Sequence, residues 1–205
     1  FYISGTAPFT IQPGTILPSI TEQVFLNATT QIGYSGSPLV KVIGSSAGFN
    51  ITGGLTTVRG LEINSSTGYS LTLSSAGGNN IESNRIAGIS INSAGNNING
   101  NTVSNSIANG ISINSGAIDN LIGNSSANNI SGNAGYGISI SSTNGNQILN
   151  NTFGTNGLDG IIINNSSAIV TGNTISGNSG FGLTLNSGTG SQISNNTIGT
   201  NTGGG

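Results

Sequence analysis

Four residue types are missing from this 205-residue sequence (cysteine, methionine, histidine and tryptophan), and charged side chains make up only 4% of it. An ordinary soluble protein carries about 25% charged residues. Without cysteine or histidine there is no thiolate or imidazole metal site and no nucleophile–base pair built on either residue. Stability must also come from something other than disulfides, which is compatible with a secreted chain. Lysine and arginine number three and the net charge is −2, so a nucleic acid would find no basic footprint. No run of about 18 apolar residues occurs, and no membrane span is expected. Nothing in the composition points to a cofactor. The first residue is Phe1 rather than methionine, so the expectation is a processed or fragmentary chain whose signal peptide has gone.

What is present is repetition. Ile148-Leu-Asn-Asn151-Thr-Phe153, Val170-Thr-Gly-Asn173-Thr-Ile175 and Ile193-Ser-Asn-Asn196-Thr-Ile198 are near copies of one phrase. Between them stand Gly160-Ile-Ile-Ile-Asn164 and Gly182-Leu-Thr-Leu-Asn186. Self-similarity at 20–50 residues is the signature of a solenoid. From Val58 onward the apolar positions fall into columns. The first holds Val58, Ile81, Ile98, Ile122, Ile148, Val170 and Ile193, at steps of 23, 17, 24, 26, 22 and 23 residues. Five places later come Ile63, Ile86, Val103, Ala127, Phe153, Ile175 and Ile198. A third column holds the alternating pairs Leu71/Leu73, Ile89/Ile91, Ile111/Ile113, Ile138/Ile140, Ile161/Ile163 and Leu183/Leu185. The short step comes from Ile86-Ala-Gly-Ile89, and the long one is assigned to extra residues around 128–136.

Period-two alternation and β-branched side chains argue for strands, and no helical stripe is sustained. The reading is an all-β parallel β-helix: a solenoid of three short strands per coil and about 22 residues per coil, stacked at one strand spacing. Eight or nine coils are expected. Residues 1–205 are read as a single domain, with 1–50 as irregular N-terminal coils and 51–205 as regular ones. Asn84, Asn101, Asn151, Asn173 and Asn196 share the slot three after the first column, with Ser125 filling it once. An amide carries both donor and acceptor, so stacked copies can form an Asn ladder at one bend, and asparagine tolerates left-handed backbone there. Gly88, Gly110, Gly137, Gly160 and Gly182 mark a corner before each third strand. Arg59 and Glu82 share one slot and Glu62 and Arg85 another, which predicts a cross-coil cluster of four charges at one bend.

The repeat, and Asn173-Thr-Ile-Ser-Gly-Asn178-Ser-Gly-Phe-Gly182 in particular, resembles the right-handed parallel β-helix repeats of secreted and surface proteins of bacteria and archaea, the pectin-lyase-like superfold. Leu17-Pro-Ser-Ile-Thr21 followed by Thr29-Thr-Gln-Ile-Gly-Tyr-Ser-Gly-Ser-Pro38 is similar to the segment that opens the β-helix in large surface proteins of this kind. The resemblance implies an extracellular or cell-surface location and a fold that hosts both enzymes and inert scaffolds.

The acids are Glu22, Glu62, Glu82, Asp119 and Asp159. Two-carboxylate glycoside hydrolysis needs two of them roughly 5–10 Å apart, and Asp119 and Asp159 precede different strands. A calcium site would want more than one carboxylate among its oxygens, and none is gathered. N-x-Ser/Thr glycosylation sequons begin at Asn27, Asn50, Asn64, Asn124, Asn129, Asn150, Asn164, Asn165 and Asn195. Chance alone yields roughly eight in so Asn-, Ser- and Thr-rich a chain, so the count carries no weight. An ice-binding face would need paired threonine files, whereas the outward slot of the third strand reads Thr72, Ser90, Ser112, Ser139, Ile162 and Thr184. The expectation is therefore a non-enzymatic structural subunit of an extracellular filament or surface layer. It would stack end to end with copies of itself, residues 1–12 packing on the last coil of the next copy, with cell-surface glycans as a further partner. The alternative is a glycan-binding or glycan-cleaving β-helix domain.

Overall fold

The computed structural model describes residues 2–205; Phe1, which the sequence reading placed at a stacking end, lies outside them. The chain winds through three parallel sheets of nine, eight and seven strands. A representative turn runs from Thr57–Arg59 in the eight-stranded sheet to Leu61–Ser65 in the nine-stranded sheet and Leu71–Ser74 in the seven-stranded sheet. Every strand pairs in parallel with its counterpart one turn away. Seven turns pass through all three sheets, fewer than the eight or nine expected, and the flanking turns are partial: Phe9–Ile11 at one end, Gln192–Ser194 and Thr197–Ile198 at the other.

The columns of the sequence are the core. Val58, Ile81, Ile98, Ile122, Ile148 and Val170 are all fully buried and stack in register. Each such side chain contributes about 2–3 kcal/mol by leaving water. The column begins earlier than the sequence suggests, since Leu26 pairs with Val58 across a step that the irregular first turn lengthens. In that turn buried Gln31 pins the N-terminal segment: its Oε1 accepts Ile3 N–H at 2.8 Å and its Nε2 donates to Ile3 O at 2.9 Å.

One register assignment is corrected. Val103 pairs with Ile130, not with Ala127, which is exposed. The extra residues of the long turn are therefore the three at 125–127, not those around 128–136. They loop outward, and Asn128 rather than Ser125 enters the ladder. That ladder runs Asn84, Asn101, Asn128, Asn151, Asn173, Asn196. Each Nδ2 up to Asn173 donates to the next Oδ1 at 2.9–3.2 Å, and that oxygen also accepts the backbone N–H of the previous asparagine. Nδ2 also reaches back to a carbonyl of the turn before, as from Asn101 to Ile81 at 2.8 Å. The amides of this ladder are thus satisfied, as burial demands.

Two further ladders escaped the sequence reading. Asn79, Asn96, Asn120 and Asn146 form one where the chain enters the eight-stranded sheet. Asn133, Asn156, Asn178 and Asn201 form the other after the nine-stranded sheet. Each of the three corners therefore carries its own amide file. The left-handed backbone falls on the residue before the first ladder's asparagine, as at Ser83 and Asn150, not on the ladder residue itself. The corner glycines answer to packing: a Cβ on Gly110 would lie 2.7 Å from Asn133 Nδ2 and from the Gly137 carbonyl oxygen.

Candidate functional site

Outward-facing residues of the nine-stranded sheet form one file: Lys41, Glu62, Arg85, Thr102, Asn129, Thr152, Thr174 and Thr197, one per turn. At its charged end the loop carrying Tyr34 and Pro38 stands up as a wall. Between wall and sheet lies a groove of about 450 Å³ lined by Tyr34, Pro38, Lys41, Glu62, Arg85 and Thr102 among others. Three of the chain's eight charged residues line this one concavity. Lys41 Nζ lies 3.0 Å from Glu62 Oε2. Arg85 is exposed and, among the described residues, has no carboxylate within ion-pair distance. The groove thus offers an unneutralised guanidinium beside a lysine–glutamate pair, an aromatic wall and a threonine hydroxyl.

The structure sets Arg59 opposite Glu82 with 3.6 Å between Nη1 and Oε1, and Glu62 opposite Arg85 in register. The two pairs flank the Gly60 bend, one on the eight-stranded and one on the nine-stranded sheet, and of the two only Arg59–Glu82 is within ion-pair distance among the described residues. Glu62's ion-pair partner is Lys41, which the sequence reading left out because its column began only at Val58. Arg59 Nε is buried without a hydrogen-bond partner, and so is Asn99 Oδ1 two turns along the same file. The remaining acids lie outside the groove: Asp159 is buried and accepts the Phe181 N–H at 2.8 Å, and Glu22 and Asp119 are exposed.

Six of the sequon asparagines, Asn64, Asn124, Asn129, Asn150, Asn165 and Asn195, are exposed, whereas Asn27, Asn50 and Asn164 are half-buried. Asn27 is committed as a cap, its Oδ1 accepting the Thr29 N–H at 3.0 Å. The outward slot of the seven-stranded sheet is not an open face. Ser90, Ser112 and Ile162 there are less than a tenth exposed, and side chains from the bordering loops bond to two of them, Tyr69 and Asn109 to Ser112 and Asn114 to Ser90.

Fold and groove define a parallel β-helix with one charged lateral concavity. The family described as "right handed beta helix region" matches residues 87–205, more than half of the chain, and the chain belongs to it. No curated protein matches the sequence. Among solved structures, a double mutant of the periplasmic alginate epimerase AlgG superposes with a TM-score of 0.57 at 15% identity, over 86% of this chain and 51% of that one. The catalytic domain of a GH87 alpha-1,3-glucanase, in complex with tetrasaccharides, superposes with a TM-score of 0.50 at 19% identity, over 82% and 36%. This chain therefore spans about half of the epimerase and a third of the glucanase, and at these identities the likeness is one of fold.

The expectation of a non-enzymatic protein is corrected by these findings. The two solved structures named are carbohydrate-active enzymes, and neither supports a filament subunit. The physical ground for excluding activity was also too narrow. The absence of a converging acid pair argues against two-carboxylate hydrolysis and against no other sugar chemistry.

Proposed function

We propose that this chain is the glycan-engaging β-helix domain of a carbohydrate-active protein, and that its ligand is an acidic polysaccharide. The observation that carries the reading is the gathering of Lys41, Glu62 and Arg85 in one groove of a nearly uncharged molecule. A uronate carboxylate fits the exposed Arg85 guanidinium, which offers a planar fork of donors that matches it bidentately. Tyr34 supplies an amphipathic wall for a sugar ring, and Thr102 a hydroxyl for its rim. Glu62 is the one carboxylate lining the groove and hence its candidate for proton transfer; the Lys41 ammonium, 3.0 Å away, holds it in place. Work on such polymers places the protein outside the cytoplasm. Among the described residues no helix is long and apolar enough to cross a membrane.

Calorimetric titration with an oligouronate tests the reading. Arg85→Gln should weaken binding about tenfold. Glu62→Gln, which removes the competing negative charge and frees Lys41, should tighten it several-fold while abolishing any conversion of the oligouronate seen by NMR. Equal affinity for neutral and acidic oligosaccharides, unchanged by Arg85→Gln, would overturn the assignment.

A further inference from the structure

A second concavity lies on another face, and its chemistry is different. About 290 Å³ in volume, it is lined by Ile16, Phe49, Asn50, Thr67, Tyr69 and Thr72 among others, with no charged residue in the lining. Its floor is the start of the seven-stranded sheet, where Phe49–Ile51 pairs with Leu71–Ser74. The wall is Tyr69, and the reason it stands there lies one turn further on. The corner Ile86-Ala-Gly-Ile89 is five residues shorter than its neighbours, which leaves a notch in the side of the solenoid. The ring of Tyr69 crosses that notch. A Cβ on Gly88 would lie 3.0 Å from its Cδ1, and its hydroxyl is 2.6 Å from Ser112 Oγ, two turns away. Ser112 in turn accepts from Asn109 Nδ2 at 3.0 Å, and Asn109 Oδ1 accepts the Tyr136 N–H at 3.0 Å. The ring is therefore fixed before any ligand arrives, and its polar tip is already satisfied, which leaves the apolar ring surface for a ligand.

The rest of the pocket divides into two parts. Ile16, which is 83% exposed, and Phe49 extend the apolar side. On the other side the Thr72 hydroxyl has no partner among the described residues, whereas Asn50 is held by Ser19 and Ser74. Apolar surface with a few placed hydroxyls and amides is the composition of a small-ligand site, and a volume of 290 Å³ takes about one sugar ring. Lacking any charge, the pocket gives a carboxylate nothing to pair with and makes its desolvation a cost.

We infer that this pocket is a separate binding site for a neutral hexose unit, which lies against the Tyr69 ring with its hydroxyls toward Thr72. The site is independent of the acidic-glycan groove: it lies on a different sheet and shares no lining residue with it. One domain would then hold an acidic chain on one face and a neutral sugar on another, as a protein working on mixed polysaccharides requires.

The test is protein-observed NMR with gluco-, galacto- and manno-configured neutral trisaccharides, each repeated with an oligouronate. At least one neutral trisaccharide should shift resonances of Phe49, Asn50 and Thr72 and saturate in the millimolar range. Tyr69→Ala should weaken that binding about tenfold. Thr72→Arg, an outward-facing substitution that fills the pocket without entering the core, should do the same and leaves the result readable if Tyr69→Ala perturbs folding. Tyr69→Ala should leave oligouronate binding unchanged. The inference is overturned if neutral sugars leave those resonances still at 10 mM, about the weak end of sugar binding. It is equally overturned if their binding survives Thr72→Arg, or if their shifts fall only around Lys41 and Arg85. Failure of the oligouronate arm alone would count against the acidic-glycan groove and leave this site standing.

Discussion

The asparagine side chains do in this protein what ion pairs and disulfides do in others. Asn101 is 1% exposed; it accepts both the N–H and Nδ2 of Asn84 and donates to Asn128 Oδ1, Ile81 O and Asn99 O. Truncation to alanine strands several of these groups in a dry interior, at a cost of about 1–3 kcal/mol each. Asn101→Ala is expected to lose about 3–5 kcal/mol. Asn196 makes equivalent bonds to Asn173 N and Nδ2 and to Val170 O, but it is only half-buried in the last turn, so water can replace what is removed. Asn196→Ala should cost about 1 kcal/mol. Urea denaturation of the two variants checks the difference; equal losses would mean that ladder position and burial do not govern the cost.

Among elements, the strands tolerate little and the corners a great deal. The turn through Ile122 carries an outward loop, residues 124–127, whose Ser126 carbonyl accepts the Gly100 N–H at 3.0 Å and whose residues are otherwise exposed. Removing Ser125–Ala127 would leave Ile122-Gly-Asn-Asn128-Asn-Ile130, the spacing of Ile148-Leu-Asn-Asn151-Thr-Phe153. Asn128 would keep its place between Asn101 and Asn151. The deletion is expected to fold and to melt within about 4 °C of the parent, since one exposed hydrogen bond is worth about 1 kcal/mol. A collapse of the melting transition measured by circular dichroism would show that the loop is structural. The short corner at 86–89 is the opposite case: there the missing residues are replaced by Tyr69, and the gap becomes a wall.

Across the whole molecule, stability and binding draw on different forces and should separate. Core columns and amide ladders hold the fold, while the two ion pairs among the described residues, Lys41–Glu62 and Arg59–Glu82, are partly exposed and worth about 0–1 kcal/mol each. Raising sodium chloride from about 0.05 to 0.5 M shortens the screening length severalfold. Oligouronate binding should then weaken several-fold while the melting temperature moves by no more than about 2 °C. Parallel calorimetry and thermal denaturation across that range make the comparison. Salt-independent binding would remove Arg85 and Lys41 from the ligand's contacts.

The sequence by itself determined the solenoid, its three strands per turn and the identity of nearly every core residue. Those features depend on period-two alternation and a repeat length, both local properties that survive in a string of letters. It also carried the two ladders that were passed over. Asn79, Asn96, Asn120 and Asn146 stand two places before the first column, and Asn133, Asn156, Asn178 and Asn201 three after the second once Ile130 replaces Ala127. That single shift of three residues hid Asn128, because counting along the chain cannot tell a residue in a coil from one looped out of it. Only the tertiary structure decided the sites. The charged groove exists because a loop between two strands of the first turn lifts Tyr34 beside side chains from Lys41 to Thr102, across three further turns. The neutral pocket exists because Tyr69 reaches Ser112, forty-three residues away. Strand stacking brings such residues to within a few ångströms of one another, and their spacing in sequence depends on the lengths of intervening loops that follow no period.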